Sequence, residues 1–297
     1  MSSMKIQIEP TWSGFRTEVG FGNIGLIDLR SPGEFHSGRI PNALNIPLLT
    51  DQERHEVGTT YKEEGSSTAV AMGLEMFANK SKDFLADVEG IKASHKQIAV
   101  HCARGGMRSK SVAMWLQTMG FEVRLLKGGY KDFRTDVLES LERLGEHNLL
   151  VLEGRTGSGK TDLLHALPND FPKIDMEGIA NHRGSTFGDF AIDEKPPTQQ
   201  NFENELADDY LRLEHHEKIV IEIENRIGTL AVPMTLRNHL SNSPLVLLER
   251  EFDDRVARLS KEYATGWRDG DDELFIERCR FIKKYMSTEN WKPFKKR

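Results

Sequence analysis

Residues 149–164 read LLVLEGRTGSGKTDLL, an apolar run that ends in a glycine-rich turn and passes directly into a helix-forming segment. Within it, Gly154-Arg155-Thr156-Gly157-Ser158-Gly159-Lys160-Thr161 fulfils every position of the phosphate-loop pattern G-x-x-x-x-G-K-[ST], in the strand, loop and helix setting that the pattern requires. The glycines let backbone N–H groups converge on a diphosphate, Lys160 adds a point charge, and the Thr161 hydroxyl can hold Mg2+. The motif leaves open what the diphosphate carries, because ATP and a prenyl diphosphate satisfy the same donors.

Outward from this loop, short apolar runs at 24–29, 97–102, 121–126, 149–154, 218–223 and 244–249 alternate with amphipathic stretches at 107–119, 130–144, 203–213 and 253–263. Such alternation predicts an α/β fold built twice over. At 297 residues and 38% hydrophobic composition the chain can bury two cores, and a boundary is expected at 145–148, giving domains 1–146 and 147–297. The segment 50–73 is long for a connection and is expected to be a loop or a surface insertion with one helix.

No apolar run approaches the roughly 20 residues that span a bilayer, and MSSMKIQIEP lacks an export pattern, so a cytoplasmic protein with no membrane partner is expected. The two cysteines, Cys102 and Cys279, are too few for a disulfide framework and offer no metal-site spacing, so no metal ligand set is certain. A formal net charge of −6 gives no global attraction to nucleic acid. Charge is uneven, however. From Arg278 to Arg297 eight Lys or Arg face Glu289 alone, with Trp291 and Phe294 among them, which suits either a solvated end or an RNA-facing element.

Cys102 ends an apolar run and precedes a helix expected from Met107, so backbone N–H groups should converge on its sulfur. In Cys102-Ala103-Arg104-Gly105-Gly106-Met107-Arg108-Ser109, Gly105, Gly106 and the Met107 amide form an anion nest, while Arg104 and Arg108 supply guanidinium groups. A thiolate there is stabilised and nucleophilic. Cys279 has no such neighbours and is expected to be an inert buried thiol. In the second half, Asn181-His182-Arg183-Gly184-Ser185-Thr186-Phe187-Gly188 groups a cation, an imidazole and flexible glycines in a loop suited to an anion; the alternative is a structural loop. Asp175, Glu222 and Glu224 end or follow apolar runs and are rivals for the acidic residue that faces a metal in phosphate-loop proteins, or are solvated carboxylates.

Ile27-Asp28-Leu29-Arg30-Ser31-Pro32-Gly33-Glu34-Phe35 and Gly38-Arg39-Ile40-Pro41-Asn42-Ala43 resemble the opening signature of the rhodanese family, and Leu126-Lys127-Gly128-Gly129-Tyr130 resembles its closing signature. The resemblance implies a rhodanese-like N-terminal domain ahead of a P-loop NTPase-like α/β domain. Five residues separate Cys102 from Arg108, where sulfur-transferring rhodaneses commonly have four. The wider loop suits a tetrahedral phosphate-sized group and is shared with cysteine phosphatases.

The pairing of the two loops, with Leu48-Leu49-Thr50-Asp51, Tyr61-Lys62-Glu63-Glu64-Gly65 and Ala180-Asn181-His182-Arg183-Gly184-Ser185, resembles the tRNA 2-selenouridine synthase family. That resemblance implies a transferase acting on wobble 2-thiouridine of tRNA, through S-geranylation from geranyl diphosphate and then replacement of the geranylthio group by selenium from selenophosphate. It further implies the phosphate loop as the geranyl diphosphate site, Cys102 as nucleophile or selenium carrier, Arg108 as phosphate partner, and an enzyme that supplies selenophosphate. Two alternatives stay open: a cysteine phosphatase, and a P-loop kinase or ATPase with a regulatory rhodanese module.

Overall fold

The structure is a computed structural model that describes residues 7–9, 12, 15–16, 19, 22–185, 187–188, 195–222, 226–264 and 271–282. Glu224 and the basic end beyond Ile282 lie outside the described residues. The chain divides into two compact units, Met1–Glu139 and Ser140–Arg297.

The first unit is a five-stranded parallel sheet of β1 (Gln7–Glu9), β2 (Ile24–Asp28), β3 (Leu44–Asn45), β4 (Gln97–His101) and β5 (Val123–Leu126), in the order β1-β5-β4-β2-β3. Neighbouring β2 and β4 pair Ile24 with Gln97 through Asp28 with His101. Strands β2 and β5 are buried along their whole length, as expected of a parallel sheet covered on both faces. Side chains alternate between those faces. Ile27, Ile98, Val100, Val123 and Leu125 join Leu29, Phe84, Val88, Val112 and Leu116 in one core. On the opposite face the Arg124 guanidinium lies 5.0 Å from the Phe15 ring centroid, and Trp12 meets Phe15 and Phe133 edge to face.

Helices α1 (Pro32–Ser37), α2 (Asp51–Glu63), α3 (Ser66–Ala78), α4 (Ser81–Ser94) and α5 (Met107–Thr118) fill the connections, and α6 (Gly129–Leu144) follows β5 and runs past residue 139. The segment 50–73, expected as a loop or an insertion with one helix, is instead all of α2 and the first part of α3, which pack on each other. Its local cause is a capping box: the Thr50 hydroxyl accepts from the Glu53 N–H at 3.2 Å, and the Glu53 carboxylate accepts from the Thr50 N–H at 2.7 Å.

The second unit holds a four-stranded parallel sheet of β6 (Leu149–Glu153), β7 (Lys173–Ile174), β8 (Ile219–Glu222) and β11 (Leu245–Leu247), in the order β11-β6-β8-β7. A two-residue antiparallel ladder joins β9 (Arg226–Ile227) to β10 (Leu230–Ala231). Helices α7 (Lys160–Ala166), α8 (Met176–Ile179), α9 (Gln199–Leu213), α10 (Met234–Leu240), α11 (Phe252–Ala264) and α12 (Asp271–Ile282) complete it. Buried Phe202, Leu206, Tyr210 and, alongside them, Ala207 and Leu211 recur at helical spacing on α9. Cys279 on α12 is buried, and burial pushes its thiol up, consistent with an inert core position. Among the described residues no helix is long and apolar enough to cross a membrane.

Candidate functional site

The candidate site residues fall on two loops, each leaving the carboxyl end of a parallel strand, where such sheets open their crevices. In the first unit Cys102 directly follows β4 and the loop runs to α5. Its Sγ lies 3.2 Å from the Ser109 Oγ, and only 3% of the residue is exposed. The surroundings are polar. Burial alone would push the thiol up, but the Ser109 hydroxyl, the backbone N–H groups of Arg104 and Ser109 and the Arg108 guanidinium outweigh it and bring Cys102 below the ordinary thiol range.

Arg108 is held over this nest by a long ion pair, its Nη1 3.9 Å from the Glu34 Oε2. Arg104 and Met107 are exposed at the rim, and Gly106 caps α5. Gly105 has φ +61°, and a Cβ there would stand 2.6 Å from the Gly128 nitrogen. At Gly129, φ also +61°, a Cβ would stand 2.1 Å from the Cys102 carbonyl oxygen. Glycine is therefore required on both sides of this backbone crossing. The Tyr130 and Lys131 N–H groups then donate to the Cys102 and Ala103 carbonyls at 2.9 Å each.

Beneath the loop lies a buried charge network. Arg30 Nη2 donates to the Asp28 Oδ2 at 2.6 Å and to the Gly38 carbonyl at 2.6 Å, and Arg30 Nε lies 3.0 Å from both Asp28 oxygens. The guanidinium also sits 3.8 Å over the Tyr130 ring centroid. Burial works against the Asp28 carboxylate, but His101, whose Nε2 is 3.6 Å away, and Arg30 hold it below the usual carboxylate range; burial disfavours the charged form of His101 itself, so the permanent charge of Arg30 is the partner that persists. Asp28 and Arg30 appear in the sequence only as part of the rhodanese-like signature; their function as the floor of the cysteine loop comes from the fold.

In the second unit residues 154–161 link β6 to α7. Gly157 and Gly159 take φ of +81° and +98°. Lys160 reaches back across the loop, its Nζ donating to the Gly154 carbonyl at 3.0 Å. Ser158 is buried, while Arg155 and Thr156 are exposed. The loop opens onto a cavity of about 420 Å3, whose other walls come from α8, the following loop and α11.

The three acidic candidates resolve differently from their sequence positions. Thr161 Oγ1 donates to the Glu177 Oε2 at 3.2 Å, so Glu177, which no sequence pattern singled out, is the carboxylate beside the Thr161 hydroxyl. Burial pushes its carboxyl up, and Lys160 and Thr161 offset this only in part. Glu222 is fully buried behind it and accepts the Glu177 N–H at 3.0 Å. Asp175 caps α8 through the Gly178 N–H at 2.8 Å and pairs with the His165 Nε2 at 2.6 Å. Glu224 lies outside the described residues.

Arg183 does face the cavity, its Nε 3.7 Å from the Glu262 Oε1. His182 also lines the cavity, but as a buried ring set in its wall: its Nδ1 accepts the Gly184 N–H at 3.1 Å, and a Cβ on Gly188 or Gly228 would come within 2.5 or 2.8 Å of the ring. Sequence inspection missed α11 altogether as a source of cations. Arg255 Nε donates to the Thr156 carbonyl at 3.0 Å, Arg258 pairs with Asp162, and Leu259 packs on Gly157. Their signal was present as Arg255 and Arg258 on a strongly amphipathic helix, but nothing local indicated what that helix faces.

Comparison with known proteins places both halves. Residues 13–136 match the model described as Rhodanese-like domain, and residues 147–278 match that described as tRNA 2-selenouridine synthase AAA domain. A tRNA 2-selenouridine synthase of Sulfurovum sp. is 42% identical over 271 residues, covering 90% of this chain and 73% of that protein. Those of Marinobacter nauticus and Nitrosomonas europaea are each 39% identical, over 263 and 253 residues, covering 84% and 83% of this chain and 70% and 65% of theirs. The chain thus spans between 65% and 73% of the length of these three relatives.

Proposed function

The chain belongs to the tRNA 2-selenouridine synthase family, and from that premise we propose that it is a transferase converting 2-thiouridine in tRNA to 2-selenouridine by way of an S-geranyl intermediate. The observation that carries this is the coexistence of two separate anion cradles, one centred on a thiol shifted toward thiolate and the other on a glycine loop with a lysine.

In the first half-reaction the 2-thio sulfur attacks the first carbon of geranyl diphosphate. A carbon–sulfur bond forms, the carbon–oxygen bond breaks, diphosphate leaves with the electron pair, and the uridine N3 proton is lost to solvent. Lys160 and the amides of residues 156–161 stabilise the charge that builds on the departing diphosphate. Mg2+ fits the same place, because Thr161 and Glu177 present a hydroxyl and a carboxylate 3.2 Å apart and this ion takes one or two protein oxygens beside substrate phosphates. It would add positive charge at the leaving group.

In the second half-reaction the Cys102 thiolate attacks the phosphorus of selenophosphate. A sulfur–phosphorus bond forms, the phosphorus–selenium bond breaks, and hydrogen selenide anion leaves; water then releases phosphate and restores the thiolate. Arg108 and the nest amides neutralise the phosphoryl oxygens. The selenide adds at the C2 carbon of the geranylated base and expels geranylthiolate, a better leaving group than sulfide. The partners of this scheme are tRNA and an enzyme that supplies selenophosphate, in the cytoplasm.

The test is incubation of the purified protein with 2-thiouridine tRNA and geranyl diphosphate, with and without selenophosphate, followed by mass spectrometry of the nucleosides. Cys102→Ala is expected to accumulate S-geranyl-2-thiouridine and form no 2-selenouridine, whereas Lys160→Ala forms neither product. Selenouridine persisting in Cys102→Ala would overturn the cysteine assignment.

A further inference from the structure

The wall of the phosphate cavity opposite the loop is not neutral packing. Helix α11, with Arg250 two residues ahead of it, brings three guanidinium groups to the glycine loop. Arg255 fastens the helix to the loop through the Thr156 carbonyl, and Leu259 fills the space over Gly157, with a Cβ built on that glycine falling 2.9 Å from the leucine Cγ. Arg250 and Arg258 then overhang the loop: their terminal nitrogens each stand 3.6 Å from where a Cβ on Gly159 would be. Gly159 is the residue immediately before Lys160, at the centre of the anion cradle.

Arg258 is occupied in this state. It bonds to Asp162 in the first turn of α7 and lies 3.9 Å from the Glu262 Oε2, while Glu262 also receives Arg183 across the cavity. The Arg258 bond, with Arg250 nearby, holds the Asp162 carboxyl below the usual carboxylate range. The Asp162 side chain is nevertheless 63% exposed. A pair of this kind stabilises the fold little, so exchanging the carboxylate for a multiply charged phosphate costs little and gains a stronger charge-assisted bond.

Resting on the diphosphate-binding role assigned above to residues 154–161, we propose that Arg258, with Arg250, is a phosphate clamp held in reserve by Asp162. When a diphosphate enters, the Arg258 guanidinium leaves the Asp162 carboxylate, which returns to water, and grips a phosphoryl oxygen from the side opposite Lys160. Arg255 and Leu259 keep α11 docked on the loop during the exchange, so that the clamp requires a side-chain movement and no refolding. No covalent bond changes, and the diphosphate departs with its electron pair as in the first half-reaction.

The clamp makes two neighbouring substitutions act in opposite directions. Titration calorimetry of the full chain with inorganic pyrophosphate in the presence of Mg2+ reads this directly. Arg258→Gln is expected to weaken binding about tenfold or more, the loss of a hydrogen bond to a charged group. Asp162→Asn, which frees the arginine, is expected to tighten binding about twofold or more, the strength of an exposed ion pair. The double substitution should bind like Arg258→Gln, and Arg258→Lys should recover part of the loss. If the pair only braces α7 against α11, both single variants shift in the same direction or leave affinity unchanged, and the clamp is overturned. Lys160→Ala separates the two levels of inference. Binding lost there but intact in Arg258→Gln removes the clamp alone, and binding retained in Lys160→Ala removes the phosphate-loop assignment together with the clamp. Circular dichroism melts of each variant establish that affinities are compared between folded proteins.

Discussion

The cysteine loop and the phosphate loop solve one problem, holding an anion at the end of a parallel strand, by opposite means. The cysteine loop is set from beneath by buried groups: Asp28 and Arg30 are 0% and 4% exposed, and the backbone crosses at Gly105 and Gly129 without room for a single extra carbon. The phosphate loop is rimmed by partly or largely exposed pairs, Arg258 with Asp162, Arg183 with Glu262 and His165 with Asp175. Buried pairs cannot rearrange cheaply because breaking one strands a charge in a poor solvent, whereas exposed pairs exchange partners with water at little cost. A nucleophile that must present one atom benefits from the first arrangement. A site that must admit and release a charged group benefits from the second.

The sharpest way to break the contrast is Arg30→Gln. It leaves Asp28 buried without its bidentate partner, and a loss of about 3–5 kcal/mol from the first unit is expected, as for other buried pairs deprived of one member. Denaturant unfolding measures it; a loss below about 1 kcal/mol, the scale of an exposed pair, would erase the distinction between the two loops.

A second, smaller effect sharpens the account of the thiol. Ser109→Ala removes the hydroxyl at 3.2 Å that is the foremost stabiliser of the thiolate. The midpoint of the pH profile for Cys102 alkylation should move upward while Cys279 stays unreactive. An unmoved midpoint would assign the shift to the backbone amides and Arg108 instead.

The smallest effect lies at Asp209 on α9, whose side chain keeps 38% exposure to screening water; partial burial, opposed by Arg212 and reinforced by Asp208 and Asp175, pushes the carboxyl up to about 6. A folded-state value above the unfolded value of 3.8 means that this group's stabilisation is complete below about pH 4 and is lost as pH rises through 6. Asp209→Asn should therefore leave the melting temperature little changed near pH 4 and raise it slightly at pH 7 to 8. A difference independent of pH would show that burial of the charge is not what governs this position.

Much of the molecule was legible in its sequence because the informative residues are local. The apolar runs mark β2, β4, β5, β6, β8 and β11 to within a residue or two, and the spacing of Cys102, Gly105, Gly106 and Arg108 announces a loop around an anion. The segment 50–73 was harder, since its helices are sparsely buried and their residues show no strong apolar face; the capping box at Thr50 was the available signal. At the phosphate loop the sequence offers Asp175, Glu222 and Glu224 as acids that could face a metal, but Asp175 caps a helix, Glu222 turns its carboxylate to the Glu177 amide, and Glu177 is the acid that meets Thr161.

By itself the sequence determined the two α/β halves and the places of the cysteine loop and the glycine-rich loop, because glycines, a cysteine and a lysine at fixed short spacings dictate local backbone geometry wherever they are placed. Only the tertiary structure decided what surrounds those loops: Arg30 stacked under Tyr130, Glu177 against Thr161, and Arg258 lying 96 residues from the Asp162 it bonds. Charge partners separated by that distance carry no mutual pattern in the chain, and their pairing is set by which helix packs beside which.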